Sequence, residues 1–568
     1  MATNNLWNES VDVMVVGSGN GGMTAALTCY EMGIENVLVI EKGAKFGGTS
    51  SLSGGGVWIP CNRYAKAAGA EDSFEEAREY LRQTIPTGSV PEDILDTYLR
   101  EAPNMLEFLH ERTRVRYETL DHYPDYYTDR KGAKHGHRSL EPATLNLSDL
   151  GTEGNFLTPT HHMMYIMDRI PIKQVEAQIL MGMLKGWGSI AFNLFWAYIT
   201  DIKWRFKSKR SQRLTCGSAG VARLRLSMMD RNMPLYLNTQ LTELITENGK
   251  VVGALVKKNG VDHRIEAHKG VILAAGGFEH NQQMREKYLP KPTNTAWTGG
   301  IHTNTGDAIS AGQSLGAATR LMDGAWWCTT ISVPGEPQPR LAIMEKSLPG
   351  CCVVNKAGKR ISNESQNYMA YLLEFFAKHS AENPCHPSYM VFDSRFRANY
   401  IVGPLLTKAT NPDWMLPKIY FEKGFLAKAE TIEELAKQTG IDPAGLRETI
   451  NNMNTYAKTG KDEEYQRGDS AYDQYYGDPE VKPNPCLAPI DQAPFYAMKM
   501  DPGDFGTQGG LVINSHAQVI HENGSPIPGL YACGNCTAAT LPTYPGPGST
   551  LGPAMTFGYL AAKHIAYE

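Results

Sequence analysis

The chain has 568 residues, enough for a large buried core and at least two domains. Its 42% hydrophobic and 20% charged residues describe an ordinary globular protein, and a net charge of −5 gives no basic surface for a nucleic-acid partner. Ten cysteines without regular pairing, no Cys/His metal spacing, no secretory leader and no repeat make reduced thiols and a cytoplasmic location the expectation.

In chain order, the first element is the β-branched run Val11 to Val16, which breaks into Gly17-Ser18-Gly19-Asn20-Gly21-Gly22 and the helix-like Met23 to Leu27. Gly17, Gly19 and Gly22 fit a dinucleotide fingerprint: the first for the tight turn, the second for close approach to a pyrophosphate, the third for helix–strand packing. The helix start then offers free N–H groups to phosphate. A second strand, Val37 to Ile40, ends in Glu41, where an acid binds ribose hydroxyls. The loop from Lys42 to Gly56 is so rich in Gly and Ser that no stable helix or strand is expected in it. Its Gly48, Thr49, Ser53, Gly54 and Gly55 are candidates to wrap a pyrophosphate and flavin, and a glycine loop so soon after the acid points to FAD rather than NAD.

Residues from Ser73 to Arg112 read as helices, with Leu81, Ile94, Leu95, Tyr98, Leu99, Met105, Leu106 and Leu109 on apolar faces. The loop Tyr123-Pro124-Asp125-Tyr126-Tyr127 either caps a core or lines an apolar pocket with phenol groups. Between about 158 and 213 lies a helical insertion in which uncharged Gly186 to Thr200 precedes Lys203, Arg205, Lys207, Lys209, Arg210 and Arg213. The uncharged run is too short to span a bilayer. Two readings stay open: a buried helix hairpin or subunit contact, and peripheral contact of 186–213 with the inner face of an anionic membrane. Gly186 to Ala191 also spells GxGxxA, but no strand precedes it.

Gly270 to Phe278 reads as a buried strand ending in Ala275 and Gly276, and Gly529 to Asn535 repeats that design with Gly534 and Asn535 at its end. These strand–glycine endings belong with the first at the carboxyl edge of one sheet. The expected architecture is α/β: a discontinuous, Rossmann-like FAD-binding domain (1–290 and 490–568) holding an inserted α+β substrate domain (291–489). The insert opens with Asn304-Thr305-Gly306-Asp307, Asp307 being a further cofactor candidate, and holds a hairpin over Val353 to Arg360. In the C-terminal block, Leu541 to Thr556, prolines and glycines fix Tyr544 on a rigid loop, and a helix starts near Pro553. Gly552, Ala554 and Met555 there are cofactor candidates. Cys533 and Cys536 form a CxxC, but the second GxGxxG of an NADPH-fed disulfide reductase is missing.

Taken together, GSGNGGMTAA, GGTSSLSGGGVWIP, GVILAAGGFEHN, NESQNY, GLYACGN and TYPGPGSTLGPAMTFGYLAA, spread over the whole chain, resemble FAD-dependent 3-ketosteroid Δ1-dehydrogenases of the fumarate reductase/succinate dehydrogenase flavoprotein group. The resemblance implies a 3-ketosteroid substrate, 1,2-desaturation, and an external electron acceptor such as a quinone or redox protein. By position, Tyr544 and Gly548 bind the 3-keto oxygen, Tyr368 removes the C2 proton as hydride leaves C1 for flavin N5, and Tyr126 assists Tyr368. Tyr123 and Tyr127 are adjacent alternatives for the assisting role. The related Δ4-(5α)-dehydrogenases carry Ser two residues after the catalytic Tyr, where Gly546 stands here. A fumarate site needs clustered Arg and His, and this loop is neutral. Ser549 and Thr550 stand where family members vary, so the substrate range is expected to differ. No His stands in the Gly47–Ser53 loop where relatives attach FAD covalently, so non-covalent FAD is expected.

Overall fold

The computed structural model describes residues 7–568. Two sheets organise it. The first has eight strands, ordered Leu235–Tyr236, Val37–Ile40, Glu9–Val16, Val261–Leu273, Lys250–Lys258 and Thr239–Glu247, with Pro526–Ala532 added on Val261–Leu273 and Gln518–Ile520 on that. The pairings of Glu9–Val16 with Val37–Ile40 and Val261–Leu273, and of Val271–Leu273 with Leu530–Ala532, are parallel. Strands buried on both faces need apolar residues at every position, and Val13, Met14, Val15, Val16, Val37, Leu38, Val39 and Ile40 are all buried. The carboxyl ends of these parallel strands therefore fall side by side and release Gly17, Glu41, Ala274 and Cys533 at one edge.

Glycine is required at the first turn. Gly17 has φ +111°, and a Cβ there would sit 2.3 Å from the Ala274 carbonyl oxygen. A Cβ on Gly22 would lie 2.2 Å from the Gly17 oxygen, so this glycine lets the helix Asn20–Glu31 close on the turn. The same helix crosses the C-terminal helix Leu551–Tyr567. That last helix begins two residues ahead of the expected Pro553.

The glycine–serine loop is more ordered than its composition suggests. Gly48–Leu52 forms one helical turn entered through Gly47 at φ +108°, and Val57–Trp58 is a strand paired with Ser139–Leu140. This order has a tertiary cause: the turn is pinned from outside, by Ser51 Oγ donating to the Thr158 carbonyl and Gly217 N–H donating to Ser53 O. The helices Phe74–Thr84 and Glu92–Arg112 occur as expected, and each of their expected apolar residues is buried.

The second sheet has six strands, all antiparallel: Arg340–Leu341, Ala325–Ile331, Phe495–Thr507, Ser388–Phe392 and Cys351–Val354 in order, with Leu426–Ala429 also on Phe495–Thr507. Phe495–Thr507 is its central member, so this sheet runs on beyond the expected crossing near residue 490. The expected hairpin after Val353 is a tight turn closed by a single Val354–Arg360 bridge.

The segment around 158–213 builds a small projecting unit with its own apolar cluster, Ile170, Ile172, Ala177, Leu180 and Leu194. Helix Gln174–Met181 supports helix Trp187–Thr200, of which only Leu194 is buried. A buried helix hairpin within the chain is thereby excluded. No helix among the described residues is long and apolar enough to cross a membrane.

Candidate active site

One cavity runs from the carboxyl edge of the first sheet to the second sheet. It is lined by the expected Gly17, Gly19, Glu41, Gly48, Thr49, Ser53, Gly54, Gly55, Ala275, Gly276, Asp307, Gly534, Asn535 and Ala554, and also by Tyr126, Tyr368, Tyr544 and Gly548. Three expected cofactor residues stand behind this wall. Gly22 underlies the turn, Gly552 leaves space for the Tyr98 hydroxyl 2.5 Å from where its Cβ would be, and Met555 is buried with its sulfur 3.8 Å from Asn20 Nδ2.

The edge of the first sheet fits a dinucleotide. Gly17 and Gly19 leave the backbone bare at the N-terminus of the helix Asn20–Glu31, whose first residues Asn20 and Gly21 line the cavity. Glu41 is fixed by Ser18 N–H at 3.2 Å and Gly43 N–H at 2.8 Å. Asp307 is held by Lys42 Nζ at 2.9 Å and Gln240 Nε2 at 3.0 Å. Side chains at Gly55 or Gly276 would collide with the Cys216–Gly217 backbone or Asn304, so only glycine fits at these two wall positions. These residues fit FAD.

The opposite end is a nest of phenols. Tyr368 opens the helix Tyr368–Lys378, capped by Asn367 accepting from Ala370 N–H at 2.9 Å. Tyr126 donates its hydroxyl proton to the Tyr368 oxygen at 2.8 Å. The rings of Tyr126, Tyr368 and Tyr544 lie 5.4–5.6 Å apart pairwise. Tyr123 continues the row, 3.4 Å from the Tyr126 hydroxyl and hydrogen-bonded to Tyr476. Tyr127 turns away and donates to the Thr543 carbonyl at 2.7 Å. Of the three neighbouring tyrosines, Tyr126 is the one in direct contact with Tyr368.

Burial pushes the Tyr126 and Tyr368 phenols well above their ordinary range, and the hydrogen bond from Tyr126 partly offsets the rise at Tyr368. Burial also raises Tyr544, offset by the Tyr368 hydroxyl, the Gly548 N–H and the Thr550 hydroxyl. Tyr544 is a bulky residue at φ +59°, a strained left-handed conformation. Gly548 is at φ +99°, pressed so closely on Gly56–Val57 that a Cβ would sit 2.5 Å from that backbone.

The tyrosine loop is fastened to the C-terminal loop through one carbonyl. Pro545 O accepts from Tyr126 N–H at 2.8 Å and from the Tyr80 hydroxyl at 2.6 Å. Beneath it, buried Asp125 accepts from Trp58 Nε1 at 2.7 Å, Lys134 N–H at 2.9 Å and Arg138 Nη1 at 2.8 Å.

A family model described as FAD binding domain matches residues 12–551. The chain is 39% identical over 574 residues to a 3-oxosteroid 1-dehydrogenase of Mycobacterium tuberculosis (strain ATCC 25618 / H37Rv), covering 98% of each. It superposes with a TM-score of 0.95 and 43% identity on the 3-ketosteroid delta1-dehydrogenase from Sterolibacterium denitrificans in complex with 1,4-androstadiene-3,17-dione, covering 98% of this chain and 100% of that one. The chain belongs to the 3-oxosteroid 1-dehydrogenase family. FAD is its cofactor, and it is a flavin-dependent oxidoreductase. A 4-oxocyclohexanecarboxylate 2-dehydrogenase of Sinomonas cyclohexanicum is 34% identical, over 98% of this chain and 93% of that one.

Several residues of this 3-oxosteroid 1-dehydrogenase site are not singled out by the sequence as site residues. Asn304 lines the cavity and donates to Glu279 at 2.7 Å; burial lifts that carboxyl to about 7. Trp58, Asp125 and Arg138 work from behind the wall. Asn304 stands beside the recognised Asp307, and Trp58 follows the glycine loop directly, so proximity to a motif was the available clue.

Proposed function

We propose that the protein desaturates the C1–C2 bond of 3-ketosteroids, and the observation that carries this reading is the 2.8 Å hydrogen bond from Tyr126 onto the Tyr368 oxygen beside Tyr544 and Gly548. Tyr544 and Gly548 lie side by side on the cavity wall, where the phenol O–H and the backbone N–H would together receive a substrate carbonyl oxygen as it gains negative charge, acidifying the adjacent carbon. Tyr368 takes the proton from that carbon. Two features favour its phenolate against the burial that opposes it: the Tyr126 hydroxyl donating to its oxygen, and the N-terminus of its own helix. FAD, when bound, supplies the hydride acceptor. The Gly17–Gly22 turn, Glu41, the Gly47–Gly56 loop and the Gly534–Asn535 corner would hold it, without covalent attachment. An external acceptor, a quinone or redox protein, reoxidises it.

Two observations favour this over neighbouring chemistries. A Cβ on Gly546 would lie 2.3 Å from Trp58 Cδ1, so the serine of a Δ4-(5α)-dehydrogenase has no room there. No arginine lines the cavity among the described residues and Lys42 is paired with Asp307, so a carboxylate-bearing ring ketone lacks a free counter-ion. Helix Trp187–Thr200, with Phe192 64%, Trp196 60% and Ile199 61% exposed and a basic stretch after it, supports peripheral contact with an anionic membrane.

Anaerobic mixing with androst-4-ene-3,17-dione tests the activity. The expected result is loss of the oxidised-flavin absorbance and a product two hydrogens lighter with a cross-conjugated dienone spectrum. Bleaching only by a 5α-saturated steroid would reassign the protein to Δ4 chemistry, and no bleaching by either would remove the steroid.

A further inference from the structure

Met163, Met164, Leu341 and Ile343 line the cavity and are partly exposed, so it opens to the surface there. Met163 and Met164 lead into the projecting unit that carries helix Trp187–Thr200. On the other side of the opening lies a second segment, 401–425. Ile401 N–H donates to the Met181 carbonyl at 3.2 Å, and Arg340, adjoining Leu341, donates to the Gly403 carbonyl at 3.0 Å. Arg340 also pairs with Glu336, which holds His162 Nε2 at 2.8 Å. Residues 401–425 are thus tied to both banks of the opening.

This second segment exposes large apolar side chains of its own: Trp414 83%, Met415 51%, Leu406 42%, Ile419 39% and Phe421 38%. Exposed Lys408, Lys418 and Lys423 stand among them against one exposed carboxylate, Glu422, while the segment's other acid, Asp413, is neutralised by Lys428 at 2.8 Å. The pattern matches that of the first unit, where Trp187, Phe192, Trp196, Ile199, Ile202 and Phe206 are exposed and Lys203, Lys207 and Lys209 form no salt bridge among the described residues. A monomer's surface does not usually concentrate so many aromatic and aliphatic groups, and lysines interleaved with Trp and Phe suit the headgroup layer of an anionic bilayer. The 14-residue helix is about 21 Å long, suited to lying in that layer rather than crossing it.

We propose that Leu406–Phe421 is a second membrane-insertion element, which with helix Trp187–Thr200 seats the cavity opening on the face of an anionic bilayer, so that an apolar substrate enters from the lipid. The inference rests on the reading that the first helix meets the membrane, and it adds a partner surface from a different part of the chain. The two elements make separate predictions.

The test uses the full-length FAD-loaded enzyme and sedimentation with vesicles of phosphatidylcholine containing phosphatidylglycerol. Two double variants are compared, Trp414→Ser/Phe421→Ser and Phe192→Ser/Trp196→Ser, each first checked for retained flavin absorbance. The wild type is expected to co-sediment, and each variant to bind at least tenfold more weakly. The Trp414/Phe421 variant should turn over cyclodextrin-delivered steroid at the wild-type rate and vesicle-borne steroid several-fold more slowly. Wild-type-like binding by that variant, with binding lost in the Phe192/Trp196 one, overturns the second element and leaves the first. Failure of the wild type to bind overturns both, and self-association abolished by either variant would then assign the patches to a second copy of the chain.

Discussion

The two ends of the cavity are built from different material. At the first sheet the wall is main chain: glycines at strand ends, with positive φ at Gly17, Gly55, Gly276 and Gly534 and, at the first three, backbone or side-chain atoms occupying the places where Cβ atoms would go. At the second sheet the wall is side chain: phenols standing edge to face, held by helix caps and a carboxylate–guanidinium base. A wall of main chain binds whatever is flat and anionic and tolerates no change of residue. A wall of side chains chooses where a proton sits, and each member is replaceable at a measurable cost in rate.

The contrast is broken most severely at Gly17. Gly17→Ala forces a Cβ into the Ala274 carbonyl at a φ that L residues avoid, and the purified protein is expected to lack flavin absorbance altogether. At the other end, single-atom deletions should leave the flavin bound. Tyr368→Phe removes the base and should lower the rate of flavin bleaching by about 10³–10⁴-fold. Tyr544→Phe removes one donor to the developing oxyanion and should cost roughly 10²–10³-fold; if it instead raised only KM, carbonyl binding without acidification would be indicated. Tyr126→Phe should be the mildest, about 10–100-fold, the value of a hydrogen bond to a charged oxygen. Its pH profile is the sharper readout. Donation from Tyr126 favours the Tyr368 phenolate, so its loss raises the Tyr368 pKa further. The rate follows the phenolate fraction, and its rising limb should move to higher pH. An unmoved limb would remove Tyr126 from the assisting role.

The same contrast governs what could be read from residues alone. Gly17, Gly19 and Gly22 with Glu41 were legible because a tight βα turn admits so few residue types, and the parallel strands because a doubly buried strand has to be apolar throughout. Tyr126, Tyr368 and Tyr544 come from three distant stretches, and nothing in a lone tyrosine distinguishes catalysis from packing; the residues alone mark Tyr126 and Tyr544 as loop tyrosines, and only the resemblance gives the three their roles. Gly552 and Met555 look like wall residues in one dimension because they flank Ala554 in the motif, whereas the helix sets both behind the wall, against Tyr98 and Asn20. The one-turn helix at Gly48–Leu52 was invisible because its order comes from Thr158 and Gly217, far along the chain. Helix Trp187–Thr200 was visible as an apolar run, but whether that run faced inward was not, since hydropathy has no direction.

The strand Phe495–Thr507 starts in the heart of the second sheet and finishes against the first domain. There Thr507 Oγ1 accepts from Phe278 N–H at 3.0 Å, and Asp504 pairs with Arg285 at 2.8 Å, both side chains of that pair fully buried. It acts mechanically as a tie-bar. Clamshell opening about a hinge would have to shear this buried ion pair, a costly step that holds the two halves together. The way in and out of the cavity then lies past the partly exposed methionines Met163 and Met164 and the short strand Arg340–Leu341 at the rim.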